Sequence, residues 1–263
     1  MIVRTSPCRA RTLRTGSLWL LLSLLGLVGC GQTSESGSSG PHWNRFDQIP
    51  LTNLSEYGFF RGELRSLIPN DGVLPYQVAS PLWADHAGKA RFIVLPPGEN
   101  IDATDGDWFF PVGTILIKNF YYSTDRRSPD ETATVIETRL LVKDAEDWKG
   151  HTYIWNAGLT NATRKVTGAR LQLVFTDEEG RSAQQEYIVP NTNQCKDCHE
   201  INGGSIPLGL VSRQTKRTIE RDGEVVDQHT WLEAQGLFST SPHHDIQALM
   251  DPFGDGPLED RAR

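Results

Sequence analysis

The chain has 263 residues, 38% of them hydrophobic and 22% charged, with a formal net charge of −7. This is the composition of an ordinary globular protein. No basic run and no basic patch rich in aromatics is present, which excludes a nucleic-acid-binding surface.

The N-terminus reads as an export signal. Arg4, Arg9, Arg11 and Arg14 form a basic n-region, and Leu18 to Val28 form an apolar stretch too short for a membrane span. It ends in Leu27-Val28-Gly29-Cys30, which resembles the bacterial lipobox: a signal at 1–29 is cut before Cys30, and Cys30 is lipidated. The alternatives are a plain secretory signal and a short anchor helix. Residues 30–42 follow as a polar, flexible tether. The folded body is therefore expected on the periplasmic side of a bacterial membrane, the outer membrane first, held through the N-terminal lipid. No later stretch approaches 18 apolar residues. Loss of the four signal arginines takes the net charge from −7 to −11. That acidity suits solubility or docking to a basic redox partner protein.

Residues 43–190 read as a β-rich domain. The first part is rich in turn residues, with Pro50, Asn70-Asp71-Gly72, Pro75 and Pro81, and has short helical pieces within 53–66. Strands are expected at 91–95, 112–122, 134–143, 151–156, 170–175 and 184–189, with a turn at Asp177-Glu-Glu-Gly180. In the third of these, alternation places Val135, Glu137, Arg139 and Leu141 on one face. Glu137 and Arg139 are then placed for a structural ion pair. The expected fold class is mainly β: an antiparallel β-sandwich or jelly-roll-like domain, followed by a small, mostly helical C-terminal segment over 191–263. A helix is expected near 228–236.

The C-terminal segment opens on Cys195-Lys-Asp-Cys-His199. Cys-x-x-Cys-His is the attachment signature of a c-type haem. Two thiols at that spacing can bond the two vinyl groups of one porphyrin, and the adjoining imidazole can bind its iron. Once Cys8 leaves with the signal and Cys30 is lipidated, Cys195 and Cys198 are the only thiols left, in an oxidising compartment where free thiols do not persist. Two other readings exist. A thioredoxin-like redox pair wants a strand–helix context that is not seen, and a zinc site lacks a second cysteine pair. The distal iron ligand stays open between Met250, His229, His243, His244 and an unligated, five-coordinate iron. Asp85-His86 and His151 are further ligands in principle, with core or surface roles as the alternative.

Ordered phrases run through this body: Leu54-Ser-Glu-Tyr-Gly-Phe-Phe60, Pro81-Leu-Trp-Ala-Asp-His-Ala-Gly-Lys-Ala-Arg-Phe92, Phe110-Pro-Val-Gly-Thr-Ile-Leu-Ile-Lys-Asn-Phe120, Tyr153-Ile-Trp-Asn156, and Val189-Pro-Asn191 leading into the haem motif. In content and order they resemble a poorly characterised family of exported bacterial c-type cytochromes, often lipoproteins and often dihaem. The resemblance implies a β-rich domain followed by haem segments, and implies no substrate. In that family a stretch like Leu258–Arg263 precedes a second Cys-x-x-Cys-His, so the expectation is a truncated or split member. The functional expectation is an electron carrier with one covalent haem c. The alternatives are a peroxidase-like or oxidase-like haem subunit, or a binding module with a Cys195–Cys198 disulfide.

Overall fold

A computed structural model describes residues 40–194, 199–201, 204–252, 254–255 and 257–261. The calls on the signal, on Cys30, and on Cys195 and Cys198 lie outside the described residues.

Six strands form one antiparallel sheet: β1 (Val73–Tyr76), β2 (Gly88–Val94), β3 (Ile115–Ser123), β4 (Ala133–Lys143), β5 (Trp148–Trp155) and β6 (Ala162–Arg164). Each pairs with the next in sequence, so the sheet is a meander. β7 (Ala169–Thr176) and β8 (Ser182–Val189) form a separate hairpin. The antiparallel β class is as expected from the sequence. The second layer, however, is this hairpin with other covers, and not a second full sheet. In the sequence, Pro75 marks β1 as turn. It lies at the sheet edge, where a residue without an N–H is tolerated.

Both faces of the sheet are covered, which is why β3 reads as an almost unbroken apolar run. On the first face, Phe92, Ile117, Leu140 and Tyr153 pack against Leu54 and Tyr57 from the N-terminal segment. A buried ring of hydrogen bonds ties that segment down. Tyr153 donates to the Leu51 carbonyl at 2.8 Å, the Leu51 N–H donates to the Tyr57 hydroxyl at 3.0 Å, and the two hydroxyls lie 2.7 Å apart.

The second face carries two apolar clusters. In the first, the cross-strand row Leu74–Ile93–Leu116–Leu141 packs with Leu232 and Leu237. In the second, Phe120 packs with Phe175, Tyr187 and Val189 of the β7–β8 hairpin. Ile136 joins this second cluster while Val135 turns to the first face. This corrects the simple alternation expected for β4. Phe120 pairs with Glu137 but Tyr121 pairs with Val135, so β4 carries one extra residue, a bulge that reverses the facing of everything before it.

The described residues of 191–263 are of mixed structure. They hold α1 (Ser212–Thr215), α2 (Gln228–Ala234) and α3 (Leu258–Arg261), but also the antiparallel hairpin β9 (Thr218–Arg221) and β10 (Glu224–Asp227). The expectation of a mostly helical segment missed that hairpin. Two glutamine amides join this segment to the chain beyond β1. The Gln228 side chain accepts from the Gln77 N–H at 2.7 Å and donates to its carbonyl at 3.0 Å. Gln214 does the same for Ser80, at 2.9 and 3.3 Å. Each clamp satisfies a donor and an acceptor of the main chain, as a neighbouring strand would.

Candidate functional site

His199 is fixed by a reciprocal pair of bonds across a two-residue ladder of Glu200–Ile201 with Gly204–Ser205. The Ile206 N–H donates to the His199 carbonyl at 2.7 Å, and the His199 ring Nδ1 lies 2.8 Å from the Ile206 carbonyl. The carbonyl can only accept, so Nδ1 carries the proton and Nε2 keeps its lone pair. Burial pushes the imidazole pKa down, against the Ile206 bond, and Lys118 and Arg139 add to the fall. The neutral form, the one that binds a metal, is thereby favoured. The Ser205 N–H donates to Asp147 at 2.8 Å, which anchors the ladder to the β4–β5 connection.

The His199 ring stands over the second sheet face, between its two apolar clusters. It lines a small cavity of about 50 Å³ with Tyr76, Leu116, Leu141, Leu208, Lys118 and Arg139. It also lines a larger opening of about 290 Å³ with Leu82, Trp83, Phe120, Tyr187, Lys118 and Arg139. A third hollow, of about 160 Å³, adds Arg91 beside Lys118 and Lys89, the latter also lining the larger opening. Trp83 is 68% exposed at the mouth of the larger opening, unusual for so large an apolar side chain.

The floor of this region is cationic. Arg91, Lys118 and Arg139 lie directly opposite one another on β2, β3 and β4, and Lys89 projects from the same face two residues before Arg91. Burial lowers the Lys118 pKa to about 8, helped by Arg91 and Arg139. Lys89 is lowered to about 8 by the same causes. The balancing carboxylate is Glu137, fully buried, which takes Arg139 in a two-pronged ion pair at 2.5 and 2.9 Å and accepts from the Tyr187 hydroxyl at 2.9 Å. The ion pair expected from the sequence is therefore present.

Other sequence candidates are dispersed. Met250 is 44% exposed, and His243 and His244 are exposed. His229 is buried beside Trp108, with Nε2 2.9 Å from the Thr215 hydroxyl and Nδ1 unpartnered. None of these four lines a cavity that His199 lines. Asp85 lines the larger opening, while His86 packs edge-on against Trp83 at 4.5 Å. His151 lines the smaller cavity, and burial lowers its pKa to about 4. Among the described residues, no three His, Cys, Asp or Glu side chains group as metal ligands.

The described residues around His199 give no ligand cluster for a bare ion. They offer one imidazole of fixed tautomer, apolar walls, and cations at one border. Sequence reasoning missed Lys89, Arg91, Lys118, Leu82 and Trp83. Arg91, Lys118 and Arg139 become a cluster only once the register of the strands is known.

No protein-family model, no curated protein and no solved structure matches the chain.

Proposed function

We propose that this chain is an exported, membrane-tethered c-type cytochrome carrying one covalent haem and transferring electrons to or from a partner protein. Cys195 and Cys198 hold the haem by thioethers, His199 ligates its iron, and the lipid on Cys30 holds the body at the periplasmic side of the membrane. The observation that carries the reading is the Cys-x-x-Cys-His motif ending in an imidazole whose Nδ1 is engaged by the Ile206 carbonyl. The haem supplies a reversible one-electron couple. The protein's part is to orient His199, to keep water from its buried side with Leu116, Leu141 and Leu208, and to set the charge nearby through Lys118 and Arg139. The stretch 191–263 is the haem segment of this reading, seated on the β-sheet.

A second reading, a haem enzyme with an open coordination position, is favoured by one observation: Met250, His229, His243 and His244 all stand outside the His199 cavities. A six-coordinate, low-spin spectrum supports the carrier. A high-spin iron that binds cyanide or carbon monoxide supports the enzyme.

The deciding experiment is a pyridine haemochrome assay on chain expressed with c-type maturation factors. Wild type is expected to retain haem through denaturation, in the membrane fraction, and Cys195→Ala/Cys198→Ala to lose it. Absence of haem from both would remove the cytochrome reading and leave the disulfide-bearing binding module.

A further inference from the structure

Three like charges in direct cross-strand register are an unfavourable arrangement. Adjacent strands are about 4.8 Å apart, so Arg91, Lys118 and Arg139 form a short ladder of cations, with Lys89 beside it. One of these charges is answered, Arg139 by Glu137. No side-chain hydrogen bond or ion pair joins Arg91 or Lys118 to a described residue, although Lys118 stands 6.0 Å over the Phe120 ring and feels the Glu137 charge, and the Lys89 side chain donates to the Leu82 carbonyl. Asp85 stands at the rim of the larger opening, and Arg217 adds a further positive field at Arg91. The row is half-buried, and Glu137 bonds one member of it. Its members form the floor of two adjoining hollows whose other lining is largely apolar, Val78, Leu82 and Leu208 in one and Leu82, Trp83 and Phe120 in the other, with Ser80, Gln214, Asp85 and Gln194 among the polar members.

We propose that Lys89, Arg91 and Lys118 form a binding site for a pair of carboxylate groups borne on an apolar body, with Arg139 completing the row. A cationic floor under a largely apolar lining matches a ligand that is apolar over most of its surface and anionic at one edge. Resting on the haem reading above, the source assigned is the two propionates of the haem that His199 ligates. A free dicarboxylic acid has the same recognising chemistry. Cations placed at this edge favour the reduced iron, because reduction lowers the positive charge of the centre by one. The ladder therefore tunes the potential as well as seating the group.

The test uses the full chain matured with haem. Wild type is compared with Arg91→Gln/Lys118→Gln, with Lys118→Gln alone, and with Arg65→Gln as an exposed charge control. Readouts are covalent haem content, midpoint potential, the propionate bands of the resonance Raman spectrum, and succinate binding by calorimetry. Expected are equal haem contents, a lower potential and shifted propionate bands in the ladder variants alone, and no succinate binding to the haem-loaded chain. Succinate binding that weakens by about tenfold or more in the ladder variants, with potential and bands unmoved, supports the carboxylate site and assigns it to a free acid. Haem present with no ladder-dependent change in any readout overturns the proposal and leaves the cytochrome reading standing. A wild type without haem removes the cytochrome reading. The succinate arm on that chain then decides: ladder-dependent binding keeps the site, and none overturns it. Lys118→Gln reads the same way should the double variant not fold.

Discussion

Glu137 joins the cationic row of the second face to the β7–β8 hairpin. It is fully buried and ionic, which is costly unless every oxygen is answered. Arg139 answers with two bonds and Tyr187 with a third. The two partners are not equivalent. Arg139→Met leaves a buried carboxylate without its countercharge and is expected to cost about 3–5 kcal/mol of stability. Tyr187→Phe removes one hydrogen bond to a charged group and is expected to cost about 1–2 kcal/mol. Urea denaturation of the full chain measures both, and equal costs would argue that the pair's charge contributes little. Sequence alone reached the Glu137–Arg139 pair, because two residues apart on a strand means one face. It did not reach Tyr187, 50 residues on, since that contact requires the β7–β8 hairpin to fold back over β4.

At the level of elements, the long strands were legible because they are rich in β-branched and aromatic residues and bounded by turns. β1 was not, since Asn70-Asp71-Gly72 and Pro75 compete with its short apolar run. The β9–β10 hairpin has a clear local signal in Asp222-Gly223. Asp222 and Gly223 both take positive φ, 53° and 83°, as an Asp-Gly hairpin turn requires. The β4 bulge left no local mark at all, because it is a property of pairing with β3. The same holds for the cationic row: Lys118 and Arg139 each look like an ordinary outward strand residue until register places them opposite one another. One turn ties the hairpin elements directly to the site. Gly168, just before β7, has φ +67°, and a Cβ there would stand 2.4 Å from the Val189 carbonyl and 2.8 Å from the Asn191 nitrogen. Those are backbone atoms on the run into Cys195, so they cannot swing aside as a side chain would. Gly168→Ala is expected to lower stability by more than about 1 kcal/mol and to reduce haem incorporation. Gly223→Ala, with equally positive φ and open space, is expected to lower stability alone. Haem content per folded protein separates the two, and equal contents would sever this turn from the site.

Across the whole molecule, two consequences follow from how the parts share one interior. The first is acid sensitivity. Burial holds both His151 and His229 at about 4, below the ordinary 6.5. Between those values the unfolded chain binds more protons than the folded one, so stability falls as pH drops from about 6.5 to about 4, then stops falling on their account. His229→Gln, which can still meet the Thr215 hydroxyl, is expected to flatten part of that fall in thermal unfolding. An unchanged slope would mean that His229 takes up its proton alike in the folded and the unfolded chain, so that its burial does not contribute to the acid sensitivity. The second consequence concerns the stretch 191–263. Leu210, Leu232 and Leu237 are buried against Tyr76, Ile93, Leu116 and Trp148, residues 238–240 add a parallel edge to Ile101–Asp102, and the Gln214 and Gln228 clamps hold the main chain at 77–80. Each buried leucine is worth about 1.5–3 kcal/mol, against a total stability of about 5–15 kcal/mol for a typical domain. Removing the three leucines, before counting the uncovered partners, takes away much of that margin. Residues 40–190 produced alone are therefore expected to lack a cooperative unfolding transition and to bind a hydrophobic dye, while the full chain unfolds in one step. A well-dispersed NMR spectrum and a sigmoidal denaturation curve from 40–190 would show instead that the β-sheet folds without the C-terminal segment. In that case the cavity beside His199 forms only when an already folded sheet receives the C-terminal segment as a separate part. If the fragment fails as expected, the sheet face that carries Arg91, Lys118 and Arg139 takes shape together with the segment that carries His199, and damage to either is read out in both.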